Sequence, residues 1–238
     1  MTDSAGTKEN GFMLAGLTAA WPICLGYFPI GLSLGVLAQK SGLAPWQMGV
    51  MSLLVFAGGS QFIAVAMLGT GASALAIIST VFMVNLRHLL MSSALAVHFP
   101  GASRRFLTIF AYGVTDESFA VNLTRFNRGE WDRRSALTLN HAANATWVTS
   151  SVIGVYLGQL VPPGVAGVDY ALTGMFICLL VFQLRGPLFT ITALIAAACS
   201  LLAYLWLPGN AYVILASCTA ATAGLILKRT LRRRGEKS

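Results

Sequence analysis

The sequence predicts an all-α, polytopic membrane protein of about eight spans (seven to eight), with broken helices in its first half. Of its 238 residues 56% are hydrophobic and only 10% charged, where a soluble domain carries about 25% Asp, Glu, Lys and Arg. No Asp, Glu, Lys, Arg or His occurs from Pro187 through Leu227, and no charged residue from Ser41 through Leu86. Both stretches exceed the roughly 20 apolar residues that cross a hydrocarbon core of about 30 Å. Strand alternation of the outer-membrane barrel kind is absent, so each span is expected to satisfy its backbone as a helix.

In chain order, hydropathy places spans at about Gly11 to Ala38, Trp46 to Leu68, Ala72 to Val97, Phe106 to Thr124, Ser135 to Leu160, Tyr170 to Leu184, Pro187 to Leu207 and Ala211 to Leu227. The first follows Asp3, Lys8 and Glu9 without a basic n-region or a small-residue cleavage site, and is read as a span, not a removable signal. Pro22, Gly26, Pro29, Gly31 and Gly35 are expected to interrupt it. Gly58 and Gly59, followed by Ser60 and Gln61, are expected to interrupt the second. The connections are short, as at Gln39 to Pro45 and Pro208 to Asn210, so 1–238 reads as one membrane domain, embedded over 11–227 with a basic tail at 228–238. No internal repeat is legible.

The formal charge of +8 is concentrated. Lys228, Arg229, Arg232, Arg233, Arg234 and Lys237 crowd the tail, and Arg125, Arg128, Arg133 and Arg134 one loop, which the positive-inside rule places in the cytoplasm. Eight spans put the N-terminus there too, and leave Arg104 and Arg105 outside unless one segment is re-entrant. The tail reads as a topology signal at a lipid surface, with no nucleic-acid partner expected.

Several chemistries lack their residues. There is no GxxxxGK[ST] phosphate loop, and Gly69 to Ala74, which formally fits GxGxxA, follows no strand and reads as a turn. Cys24, Cys178, Cys199 and Cys218 show no CxxC spacing, and His88, His98 and His141 no ligand spacing, so neither metal nor cofactor is expected. Gly58-Gly59-Ser60 with a distant His98 or His141 raises an intramembrane serine protease. Gln61, however, stands where a second glycine of GxSG belongs, and no catalytic residue is assigned.

The informative residues are polar ones inside apolar stretches. Arg87 and His88 lie in the third, Asp116 and Glu117 near the middle of the fourth, where an ionised group costs at least about 2.5–3.5 kcal/mol. An ion pair between Arg87 and one carboxylate removes much of that cost and leaves the other, with His88, as a candidate proton carrier. The working assignment pairs Arg87 with Asp116 and makes Glu117 the carrier; the reverse stays open, as does a kink that moves all four to the interface. Gly58, Gly59 and Gln61 are candidates for substrate binding, because a discontinuous helix frees backbone donors and acceptors at membrane depth. Gly31 with Gly35, and Gly154 with Gly158, form GxxxG pairs suited to close helix packing. Asn140 and Asn144, one turn apart on a face continued by Trp147 and Ser151, are read either as interhelical hydrogen-bonding groups or as substrate contacts.

Four blocks carry a resemblance: Pro29 to Leu43, Ser52 to Phe62, Asn85 to Leu95 and Thr115 to Ala120 together resemble the AzlC family, large subunits of bacterial branched-chain amino acid exporters. The resemblance runs in order over nearly the whole chain and is specific in its first half. It implies a secondary transporter of the bacterial inner membrane, exporting leucine, isoleucine and valine with a small AzlD-type subunit. It assigns no individual residue; Asn85 joins the substrate-binding candidates with its neighbour Arg87. A zwitterion suits charges of both signs, and proton coupling is the expected drive. A regulatory or structural subunit without a pathway of its own is the alternative.

Overall fold

The computed structural model describes residues 3–160 and 186–206, with positions 174, 177, 181, 184, 219–220, 222–225 and 227. Its helices are α1 (Asp3–Lys40), α2 (Pro45–Leu54), α3 (Gly58–Gly69), α4 (Ala74–Ala96), α5 (Arg104–Tyr112), α6 (Asp116–Asn127), α7 (Arg133–Leu160) and α8 (Pro187–Trp206). The chain forms two compact units, Met1–Val165 and Ala166–Ser238; α1 to α7 build the first and α8 belongs to the second. Most of the expected spans Tyr170 to Leu184 and Ala211 to Leu227, and the whole basic tail, lie outside the described residues. Among those described, three helices are long and apolar enough to cross a membrane: Gly11–Lys40 of α1, α4, and Pro187–Leu205 of α8.

The first helix is a correction to the sequence reading. It runs unbroken through Pro22 and Pro29. Each proline removes one N–H from the ladder, yet both lie on the exposed side of α1, away from the residues it buries. From Phe12 to Gln39 the buried side is held by α7. A Cβ on Gly31 would overlap Ser150, one on Gly35 the backbone of Ser151 and Gly154, and one on Gly154 the Leu32 carbonyl. The glycine pairs therefore serve backbone approach. Contacts pass from Gly16 with Thr138 to Val36 with Gly158, so α1 and α7 run parallel.

The expected spans Trp46 to Leu68 and Phe106 to Thr124 are each in two pieces. The first breaks at Val55, Phe56 and Ala57, just ahead of the glycines; the second breaks at Gly113, Val114 and Thr115, which the sequence reading ran through as helix. A shift of 58 positions carries Gly58–Gly69 onto Asp116–Asn127, the two three-residue breaks onto each other, and the start of α4 to within one residue of the start of α7. Broken helix, short turn and long helix thus occur twice. Few positions of the two copies coincide, Ser60 with Ser118, Gly71 with Gly129, Thr80 with Thr138 and Ser92 and Ser93 with Ser150 and Ser151, which is why the repeat was not legible. The second copy is fastened by an apolar cluster of Leu95, Phe99, Phe110, Val114 and Ala136, drawn from α4 and the turn after it, α5, the break and α7.

Candidate functional site

A helix interrupted inside an apolar segment leaves carbonyls at one new end and N–H groups at the other, and these must find partners. In the first break the backbone leaves the helical region at Val55 (φ −123°, ψ 77°) and Ala57 (φ −151°, ψ 88°). The Tyr112 hydroxyl, from the end of α5, donates to the Leu53 carbonyl in the last turn of α2, and Asn144 Nδ2 donates to that hydroxyl at 3.2 Å. The start of α3 is different: no side chain caps it.

The second break is closed on both sides. The Asn140 amide donates to the Phe110 carbonyl at 3.4 Å, and His88 Nδ1 lies 2.8 Å from the Val114 carbonyl. A carbonyl can only accept, so Nδ1 carries the proton. Thr115 and Ser118 form a reciprocal cap at the start of α6, which places Asp116 and Glu117 in its first turn. The break thus relieves much of the difficulty of two acids in an apolar stretch: negative side chains at a helix N-terminus are favoured by the backbone dipole. Glu117 also accepts from the Tyr27 hydroxyl at 2.5 Å.

Arg87 of α4 joins the two broken helices. Its Nη1 is 2.7 Å from Asp116 Oδ2, and its Nη2 lies 3.8 Å from where a Cβ of Gly59 would stand. The pair is 38% and 51% exposed, so it lines an accessible surface. Among the described residues three buried polar side-chain atoms have no hydrogen-bond partner, Asn85 Oδ1, Arg87 Nε and His88 Nε2, and all belong to this one turn of α4. Buried polar groups normally pair, so this turn has unused donor and acceptor capacity beside an uncapped helix start.

The structure brings Gly59, Arg87, His88, Asp116 and Glu117 together and puts other candidates in the scaffold behind them. Trp147 Nε1 donates to Gln61 Oε1 at 2.6 Å, Gln61 Nε2 donates to Ser52 Oγ at 3.1 Å, and the Ser52 and Ser151 hydroxyls are 2.9 Å apart. Gln61 is fully buried in this chain of bonds, which ties α2, α3 and α7 together. Asn140 accepts from Asn122, which accepts from Trp131. Ser60, the nucleophile of the protease reading, is fully buried and donates to the Ala57 carbonyl as a helix-end contact. The sequence reading missed Tyr27 and Thr115. Thr115 carried a signal, a hydroxyl residue directly ahead of two acids; Tyr27, an aromatic within an apolar stretch, carried none.

The family model described as AzlC protein matches residues 22–161. An uncharacterized membrane protein of Archaeoglobus fulgidus is 32% identical over 182 residues, covering 75% of this chain and 79% of that one. The inner membrane protein YgaZ of Escherichia coli is 29% identical over 194 residues, 77% of this chain and 79% of its own. The branched-chain amino acid transport protein AzlC of Bacillus subtilis is 25% identical over 217 residues, 89% of this chain and 84% of its own. No solved structure matches the chain.

Proposed function

The chain belongs to the AzlC family, and from that premise we propose that it is a secondary transporter that exports branched-chain amino acids, acting with a small AzlD-type membrane subunit. The substrate class rests on the likeness to the branched-chain amino acid transport protein of Bacillus subtilis. The observation that carries the reading is the charge arrangement at the broken helices: Arg87 beside the uncapped start of α3, and Asp116 and Glu117 at the start of α6. An amino acid at neutral pH presents an anion and a cation a few bonds apart. The first group of residues suits its carboxylate and the second its ammonium.

Coupling to protons needs a group that gains and loses a proton without losing its place. Asp116 is engaged with Arg87, whereas Glu117 faces Tyr27 and lies within electrostatic reach of His88. A Tyr27 hydroxyl can donate to a charged Glu117 and accept from a protonated one, so the link between α1 and α6 survives either state. Glu117 is therefore the proposed proton carrier. Orientation follows the basic loop around Arg128 and the tail, with both ends of the chain in the cytoplasm.

The test is efflux of labelled leucine, isoleucine and valine from cells expressing the chain with its small subunit. Efflux above control that collapses with a proton uncoupler supports the reading. Unchanged efflux of all three, with both subunits present in the membrane, refutes the substrate assignment.

A further inference from the structure

Gly58 and Gly59 stand side by side at the start of α3, and their surroundings give them different reasons to lack a side chain. A Cβ on Gly58 would come within 2.9 Å of Trp147 Cη2 and 3.0 Å of Cζ2. That ring is held in place by its bond to Gln61 and by edge contact with Tyr27, so it cannot yield cheaply. Packing accounts for Gly58. Among the described residues, by contrast, a Cβ on Gly59 would find a single neighbouring atom within 4 Å, Arg87 Nη2 at 3.8 Å. Nor does the backbone call for glycine, since Gly59 is helical and is not among the positive-φ residues. Glycine in a helix is less favourable than alanine, so its presence here marks a space kept open.

Donors edge that space. Arg87 commits Nη1 to Asp116, directs Nη2 toward Gly59 and keeps a buried Nε with no partner. The first turn of α3 has no side-chain cap. On the transport reading given above, on which this rests, we propose that the space between Gly59 and Arg87 is the seat of the substrate carboxylate, and that Gly59 is a specificity-determining residue. An acceptor oxygen sits about 2.8 Å from a guanidinium nitrogen. A methyl carbon 3.8 Å from Nη2 would fill part of the space beside the guanidinium that such an oxygen needs. The pocket therefore takes an α-amino acid by its acid end, and Asp116 and Glu117 are left for the ammonium.

The experiment is equilibrium binding of labelled leucine to the full-length protein together with its small subunit, with melting temperature recorded for each variant. Gly59→Ala should melt as the wild type does and bind leucine about tenfold more weakly, the scale of one lost charge-assisted bond. Gly58→Ala should melt early. On the wild type, leucinol, which keeps the ammonium and side chain but has no carboxylate, should compete about a hundredfold less well than leucine. Wild-type affinity in a folded Gly59→Ala protein, equal competition by leucinol, or early melting of Gly59→Ala would each overturn the proposal. If Arg87→Gln loses leucine while Gly59→Ala keeps it, the carboxylate seat is wrong and the transport reading stands. No binding by the wild type would overturn both.

Discussion

The Tyr27 hydroxyl of α1 donates to Glu117 Oε2 at the start of α6 across 2.5 Å, with Thr115 Oγ1 2.7 Å from the same hydroxyl. The tyrosine ring is buried and meets Phe56 and Trp147 edge-on, at ring separations of 6.2 and 5.2 Å. Ring packing, not the carboxylate, fixes the position of the hydroxyl. The longest helix of the first unit is thereby tied to the break that carries both acids.

Glu117→Gln should leave the fold intact, because the side-chain carbonyl of glutamine still accepts from Tyr27. It should also keep exchange of substrate for substrate while losing pH-dependent net transport, since an amide does not titrate. Asp116→Asn should impair exchange itself. Vesicle flux at two pH values, beside counterflow, separates the two variants. Unchanged pH dependence in Glu117→Gln would remove Glu117 as carrier.

The Arg87 and Asp116 pair predicts a non-additive series. Arg87→Gln alone leaves Asp116 without its counter-ion, and Asp116→Asn alone does the same to Arg87; an unpaired charge within a lipid-spanning region costs about 2.5–3.5 kcal/mol. The pair's partial exposure puts the effect at or below the lower figure. The double variant should melt closer to the wild type than either single variant does, and transport should fail in all three. Additive losses of melting temperature would show that the two charges act independently.

Trp147→Phe keeps most of the ring but removes the donor to Gln61, whose Oε1 then stays buried and unpaired. A buried acceptor left without its donor costs about 1–3 kcal/mol. A lowered melting temperature is expected, with leucine affinity changed little in the protein that remains folded, because Gln61 serves the scaffold.

Much of this architecture was legible, and the gaps have physical causes. Composition and hydropathy give a helical membrane protein because lipid leaves a backbone so few choices. Pro22 and Pro29 read as interruptions because a proline disrupts an isolated helix, and the sequence does not show that α7 holds the opposite side of α1. The break before Asp116 was hidden by the apolar run that leads into it, although Gly113 and Thr115 supplied a turn residue and a cap. The partners of the amides were beyond a one-dimensional reading: Gln61, Asn140 and Asn144 look alike in the chain, and only the structure shows Gln61 bonded to Trp147, Asn140 to the Phe110 carbonyl and Asn144 to the Tyr112 hydroxyl.

The parallel packing of α1 on α7 predicts a contrast between two glycines. Gly35→Leu would drive a side chain into the backbone of Ser151 and Gly154, where neither helix can yield, and should abolish folded protein. Gly26→Ala, whose Cβ meets nothing within 4 Å, should be neutral or raise stability by about 0.5–1 kcal/mol. Yield and melting temperature of the two membrane-extracted variants check this.

The proposed route takes a branched-chain amino acid through the centre formed by Arg87 and the starts of α3 and α6. Counterflow of labelled leucine in proteoliposomes, wild type beside Arg87→Gln at matched protein content, tests it most directly. Label driven by internal leucine should accumulate in the wild type and not in the variant. Equal counterflow in both, or none in the wild type with its small subunit present, would contradict it.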